Sequence, residues 1–307
     1  MDIAYAGDLH GRLWKFDLTA TDELKWGVAV WNGSGTVCKG TPACEPFAKA
    51  VDPGNPAVAQ PITTAPAWMP HPLGGIQLLF GTGQLLATAD ATTTAVQTVY
   101  SLWDQSSYPK SKDGVLSSVN VGRLGAANLR TRLVAQPVGA ALPVTDTSGT
   151  VHPDAYFGSA NNAVTYSKVD ETAPRGWYVD LPVTGERLVV HPHAFLGRKA
   201  IFVTSSPSAA SVQASCRDET NGDQHWFNVR DMITGAPPVG GVFYASAVTT
   251  SIESATRASV PGNEFVLMPS GGEGFNLQMP GKTGVAPESI VDVAVPMRRV
   301  EWRDIRP

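Results

Sequence analysis

Hydrophobic and polar positions alternate in short bursts along this chain, and the bursts are separated by turn residues. In the first, Ala4-Tyr5-Ala6-Gly7-Asp8-Leu9-His10-Gly11-Arg12-Leu13-Trp14-Lys15-Phe16, β-formers flank a turn around Asp8 to Gly11, which predicts an antiparallel hairpin. Alternation along its second strand sets Leu13 and Lys15 on one face and Trp14 and Phe16 on the other, and assigns the aromatic pair to the buried side. Leu24 to Trp31 predicts another strand, followed by a Pro-, Gly- and Ala-rich surface loop to Gln60. Gly75 to Gly83 is a continuous apolar run bounded by glycines, the pattern of a strand covered on both faces. Val96 to Trp103, closing with Asp104, repeats the aromatic-then-Asp ending of the first hairpin.

Residues 105 to 174 alternate less regularly, with candidate strands at 115 to 121, 130 to 136 and 155 to 166. A sharper pattern then predicts a meander of 175 to 182, 185 to 190 and 200 to 204, with 225 to 231 as a fourth member of the same sheet. Further strands are expected at 240 to 251, 263 to 268 and 289 to 302. No stretch keeps an apolar i, i+3, i+4 spacing over three turns, and 30 Gly and 24 Pro with only 16% charged residues argue for strands and turns. The fold class expected is all-β: a modified, partial β-propeller of about four blade-like antiparallel sheets with long loops. Roughly 40 to 50 residues per regular blade would allow six or seven, so the long loops absorb the difference.

The net charge of −4, with basic residues scattered apart from a cluster at 298 to 306, carries no electrostatic footprint for nucleic acid. No apolar run approaches the roughly 18 residues of a spanning helix, and the opening Met1-Asp2-Ile3 lacks the pattern of a signal peptide. Cys38 and Cys44 are spaced so that a disulfide could close the loop between them, and a pair of buried thiols fits the spacing as well. A bridge would place the chain in an oxidising compartment and leave Cys216 odd.

Candidate chemistry is sparse. Asp8 in its turn is expected to accept backbone N–H groups, and Asp17, Asp104, Asp180 and Asp231, each ending an aromatic strand, read as turn or edge caps rather than a catalytic set. His191 and His193 share a strand face, but Pro192 separates them and no third ligand can be named, so they read as exposed loop histidines. Asp218, Asn221 and Asp223 do not follow the order of a calcium loop and read as a solvated turn. Gly81 and Gly83 lack the third glycine and the helix of a phosphate-binding fingerprint and read as close packing. Gly271 to Gly274 reads as a flexible loop, no Gly-x-Ser-x-Gly elbow occurs, and the eight tryptophans read as packing between blades.

The ordered set of landmarks carries more than any one of them: Tyr5-Ala6-Gly7-Asp8-Leu9 with Leu13-Trp14-x-Phe16-Asp17-Leu18, then Gln60-Pro61-Ile62-Thr63, Phe80-Gly81-Thr82-Gly83, Tyr100-x-x-Trp103-Asp104, Arg175-Gly176-Trp177-Tyr178, Gly185-Glu186-Arg187 and Arg298-Arg299-Val300-Glu301-Trp302. In this order they resemble the C-terminal β-propeller domain of the PilY1/PilC family of type IV pilus biogenesis factors and tip-associated adhesins. The resemblance covers nearly the whole chain. It implies that residues 1 to 307 are the C-terminal part of such a domain, truncated on its N-terminal side, in an exported, pilus-associated cell-surface protein. Implied partners are a pilin or minor pilins and a host or abiotic surface, with roles in pilus extension, adhesion and twitching motility and no enzymatic activity.

Family members carry an Asp/Asn-rich calcium loop just ahead of the first strand, and Asp2 matches its last carboxylate. Calcium wants six to eight oxygens, so no cofactor is expected in this chain, and calcium is expected only in the intact family domain. Contact surfaces would lie on the loops at 32 to 59, 105 to 154 and 205 to 224. The rival readings are a quinoprotein-type dehydrogenase propeller, which would need a quinone cavity with calcium ligands, and a generic protein-binding propeller scaffold.

Overall fold

The structure is a computed structural model and describes residues 3–29, 38, 44–105, 129–145, 151–195, 198–208, 223–238, 254–260, 266–269, 274–278 and 289–294. These residues form four sheets. The first joins β1 (Ile3–Gly7), β2 (Arg12–Asp17), β3 (Gly27–Val28) and β4 (Ala48–Lys49), with β2 bonded to the other three. The second runs in the order β5 (Ala67–Pro70), β6 (Ile76–Gly81), β7 (Thr98–Asp104), β11 (Gly176–Asp180), β8 (Val134–Ala135), antiparallel except for the last pair. The third runs β12 (His193–Phe195), β13 (Lys199–Ser206), β14 (Gln224–Asp231), β15 (Arg257–Val260), β10 (Val151–Ser159), β9 (Val138–Thr145), and the fourth is the meander β16 (Val266–Pro269), β17 (Gly274–Gln278), β18 (Ser289–Ala294).

The second sheet is covered on both faces, which is why β6 carries no polar alternation. Leu78 and Phe80 of β6, with Tyr100 and Leu102 of β7, pack against Leu13, Phe47 and Ile62 on the side of the first sheet. Leu79, Val99, Trp177 and Val179 point the other way, onto Leu188 and onto Ala200 and Phe202 of the third sheet. Sheets stacked by their faces in chain order are the expected blade-like arrangement, and an all-β fold of antiparallel sheets is what forms.

Several local expectations are corrected. The hairpin forms with Ala6 opposite Trp14, yet its buried face is Leu13, Lys15 and Asp17, while Trp14 and Phe16 stay half-buried. Lys15 tolerates that position because its ammonium meets the Asp104 carboxylate at 2.6 Å. Within the strand expected from Leu24, residues Glu23–Lys25 form a 3₁₀ turn whose N-cap Asp22 accepts the Leu24 N–H, and among the described residues only Gly27–Val28 is strand. The meander also divides: β11 pairs with β7 in the second sheet, while β13 and β14 lie in the third. Residues 185 to 190 form no strand of the third sheet and join its backbone pairing through the Arg187–Ser205 bridge. Part of the loop expected at 105 to 154 is a 3₁₀ turn and strands β8 and β9, and Gly274, the last residue of the expected glycine-rich loop, is the first of β17, while 271 to 273 lie outside the described residues. Residues 115 to 121, 240 to 251 and Cys216 lie outside the described residues.

The cysteine alternatives resolve to a disulfide: Cys38 and Cys44 are bridged with Cα atoms 5.4 Å apart, and Cys38 pairs with Val28 at the rim of the first sheet. Closing so short a loop constrains the unfolded chain modestly. Changing both cysteines to serine is expected to lower unfolding stability by about 2 kcal/mol, read as a shift of the urea midpoint at constant slope.

An aromatic cluster joins the second sheet to the segment after β10. The His71 ring stacks on Trp103 with centroids 4.1 Å apart and meets Tyr166 edge-on at 4.7 Å. His71 Nδ1 accepts the Leu73 N–H, and Nε2 is buried with no hydrogen-bond partner. Burial first, then the positive charges of Arg198 and Lys168, push its pKa down to about 4. Its folded value lies below its unfolded one, so the neutral ring's contribution is complete above about pH 6.5 and is lost as pH falls toward 4. Between pH 7 and 4 the wild type is expected to lose up to about 3 kcal/mol more stability than His71→Phe; parallel pH profiles would remove His71 as the source.

Candidate functional site

The turn after β11 and strands β9, β10, β14 and β15 of the third sheet line a cleft of about 480 Å³. One wall is Pro182 and Val183, in the turn that follows β11. The other comes from Val138 of β9, Phe157 of β10, His225 and Trp226 of β14, and Ser259 and Val260 of β15, with Asp223 and Gln224 at the mouth. Strand alternation sets Trp226 and Arg257 on the face turned toward the second sheet, since Trp226 pairs with Ser259 and Asn228 with Arg257.

One lining side chain, Arg257, is ion-paired with Glu186. Arg257 donates from Nη1 to Glu186 Oε1 at 2.6 Å and from Nη2 to Oε2 at 3.1 Å, and both side chains are shut off from solvent. Thr204 donates to the same Oε1 at 2.5 Å, and Glu186 Oε2 also accepts the Val183 N–H at 3.2 Å, which ties the Pro182 wall to the ion pair. The guanidinium lies 4.4 Å from the Trp226 ring centre and 5.8 Å from that of Phe157, a cation–π seat that suits the flat, weakly hydrated arginine head. Next to Glu186, Arg187 donates to the carbonyls of Gly185, Gln84, Asp90 and Thr93, pinning the 84–93 loop to the same segment.

His225 Nδ1 lies 2.8 Å from Ser205 Oγ. Burial pushes the imidazole pKa down, opposed by the Asp223 carboxylate, so the ring is neutral at neutral pH. With Arg257 balanced by Glu186, the cleft offers apolar walls, neutral hydrogen-bonding groups and the Asp223 carboxylate. That set suits holding a partner's side chain. Among the described residues, no three His, Cys, Asp or Glu side chains come together as a metal site.

The residues singled out from sequence fall as follows. Asp8 Oδ1 accepts the N–H groups of His10 and Arg12, and Oδ2 accepts from Trp14 Nε1, so it organises its turn as expected. Asp17 and Asp231 also cap, receiving the N–H groups of Thr19 and of Ile233 and Thr234. Asp104 and Asp180 correct the shared reading: Asp104 pairs with buried Lys15, and Asp180 with Arg130 at 2.5 Å. Gly81 and Gly83 serve close packing, since a Cβ on either would fall 2.6 Å from Leu188 or 2.5 Å from Arg187. His191 is exposed and accepts the Ala65 N–H, while His193 sits on the edge strand β12. Of the acidic turn only Asp223 is described, accepting the Ser208 N–H. Asp2 lies outside the described residues. Sequence reading missed Glu186 and Arg257 as a pair, and nothing in the residues around either one marks the other.

Face-stacked antiparallel sheets, crossed by buried polar ties and opening on loops at one end, define a β-propeller type of scaffold. Residues 1–136 match the PilY1 beta-propeller domain, and the chain as a whole is similar to type IV pilus biogenesis factors named PilY1. It is 27% identical over 296 residues to the type IV pilus biogenesis factor PilY1 homolog of Xylella fastidiosa, covering 95% of this chain and 16% of that protein. Against PilY1 of Pseudomonas aeruginosa strain PAO1 it is 29% identical over 248 residues, covering 76% of this chain and 19% of that protein. The chain therefore spans less than a fifth of these curated relatives. The crystal structure of the Pseudomonas aeruginosa PilY1 C-terminal domain superposes with a TM-score of 0.66 at 23% identity, over 95% of this chain and 57% of that one, a likeness of fold.

Proposed function

We propose that these 307 residues are the C-terminal part of a longer PilY1-like propeller, acting without turnover as a contact module of a type IV pilus assembly factor and tip-associated adhesin. Its partners would be pilin or minor pilins on one side and a host or abiotic surface on the other, and it would support pilus extension, adhesion and twitching motility. The observation that carries this reading is the match to PilY1 proteins over nearly the whole chain. The Cys38–Cys44 disulfide supports export to an oxidising compartment. Deleting the segment in its source organism is expected to reduce surface pili and twitching, and normal pili with normal motility would count against the proposal.

The calcium of the intact domain would sit in the loop ahead of β1, with Asp2 as its last ligand. One carboxylate supplies too few oxygens for tight binding. Calorimetry on these 307 residues is expected to give no micromolar calcium binding, and a stoichiometric micromolar isotherm would overturn that.

A further inference from the structure

The tie between the first and second sheets differs in kind from the one at the cleft. Lys15 is the only buried lysine among the described residues. Its Nζ lies 2.6 Å from Asp104 Oδ2, with both side chains excluded from solvent. Tyr5 donates its hydroxyl to the same Oδ2 at 2.5 Å, and the Phe47 ring closes over the ammonium at 5.7 Å. The Asp104 backbone cannot swing away, because Gly75 is pressed against its carbonyl. An amine and a carboxyl group shut off from solvent, and a hydroxyl that can relay a proton, are thus held in mutual contact, the pre-arrangement that an intramolecular reaction requires. Burial, the largest influence on Lys15, lowers the pKa of its ammonium against the attraction of Asp104 and Asp17, which raises the share of neutral, nucleophilic amine. The Arg257–Glu186 pair has no such route, because a guanidinium keeps its proton.

We propose that Lys15 and Asp104 condense into an intramolecular amide that joins the first and second sheets covalently. Nζ gives one proton to Asp104 Oδ2, and the resulting amine attacks Cγ of the neutral carboxylic acid, forming the Nζ–Cγ bond. A second proton leaves Nζ and reaches Oδ2 through the Tyr5 hydroxyl, which donates one proton as it accepts another. The Cγ–Oδ2 bond breaks and Oδ2 departs as water. The amide keeps Oδ1 and one Nζ–H, so an ammonium and a carboxylate become an amide and one water, with no oxidant, metal or co-reactant.

The test is the mass of the whole chain after reduction and denaturation. Condensation is expected to lower it by one water, about 18 Da below the sequence mass, and protease mapping is expected to recover one branched peptide containing Lys15 and Asp104. The full sequence mass overturns the proposal. So does a deficit that maps to a cyclised Asp113-Gly114, or one that persists in Lys15→Arg. If Lys15→Arg fails to fold, the branched peptide of the wild type decides alone. Tyr5→Phe keeps the ring beside Phe47 and is expected to accumulate uncondensed chain; condensation at an unchanged rate would overturn the relay.

Discussion

Glu186→Ala is expected to destabilise the protein by about 3 to 5 kcal/mol, because it strands the Arg257 guanidinium in the interior with its charge unanswered. The same substitution orphans the Thr204 hydroxyl and releases the Val183 N–H, so the Pro182–Val183 wall of the cleft loosens with it. A double change, Glu186→Leu with Arg257→Met, removes both charges and is expected to recover most of the loss. Urea unfolding of the two variants beside wild type measures this directly. A single-variant loss below about 1 kcal/mol would mean that water reaches the pair, as it does in surface ion pairs.

Trp177→Ala is the second large effect, expected at about 3 to 5 kcal/mol. Trp177 has no exposed surface and stands between the second and third sheets, with Leu79, Val99 and Phe202 in the same cluster. Its Nε1 donates to the Met232 carbonyl at 3.0 Å, and its ring lies so close to Gly235 that a Cβ there would fall 2.6 Å from it. Truncation therefore opens a cavity in an interface whose backbone is pinned on both sides and collapses little. Trp177→Phe keeps most of the apolar contact, and the Met232 carbonyl still accepts from Ser101 Oγ, so a loss of only about 1 kcal/mol is expected from the missing indole donor. Equal losses in the two variants would show that the hydrogen bond, not the volume, holds the sheets together.

These two side chains stood very differently in the sequence. Trp177 lies in an alternating aromatic strand, and its role in packing between sheets follows from that pattern. Glu186 follows a turn glycine and looks like any solvated turn residue, because nothing local marks its partner, which comes from 71 residues further along the chain. The hairpin shows the same division within six residues of β2. Its pairing and alternation were legible, but which face turns inward was not. The choice was made by Asp104, 89 positions away, whose carboxylate makes the Lys15 side the buried one. The division of the expected meander has a related cause: β11 finds its partner β7 across a long intervening segment, and strand pattern alone is silent about which edge a strand joins.

By itself, the sequence determined that the chain forms short strands and turns, that β6 is covered on both faces, that several aspartates cap their own turns, and that the whole resembles one family of pilus factors. Each of these depends on interactions within a few residues or on an ordered set of motifs. Tertiary structure decided which sheet each strand enters, that Cys38 and Cys44 are bridged, and that Lys15 and Glu186 are core residues. The reason is electrostatic and steric: Lys15 and Glu186 leave water because an opposite charge is delivered to each, and that delivery is made by the stacking of sheets whose members are far apart in the chain.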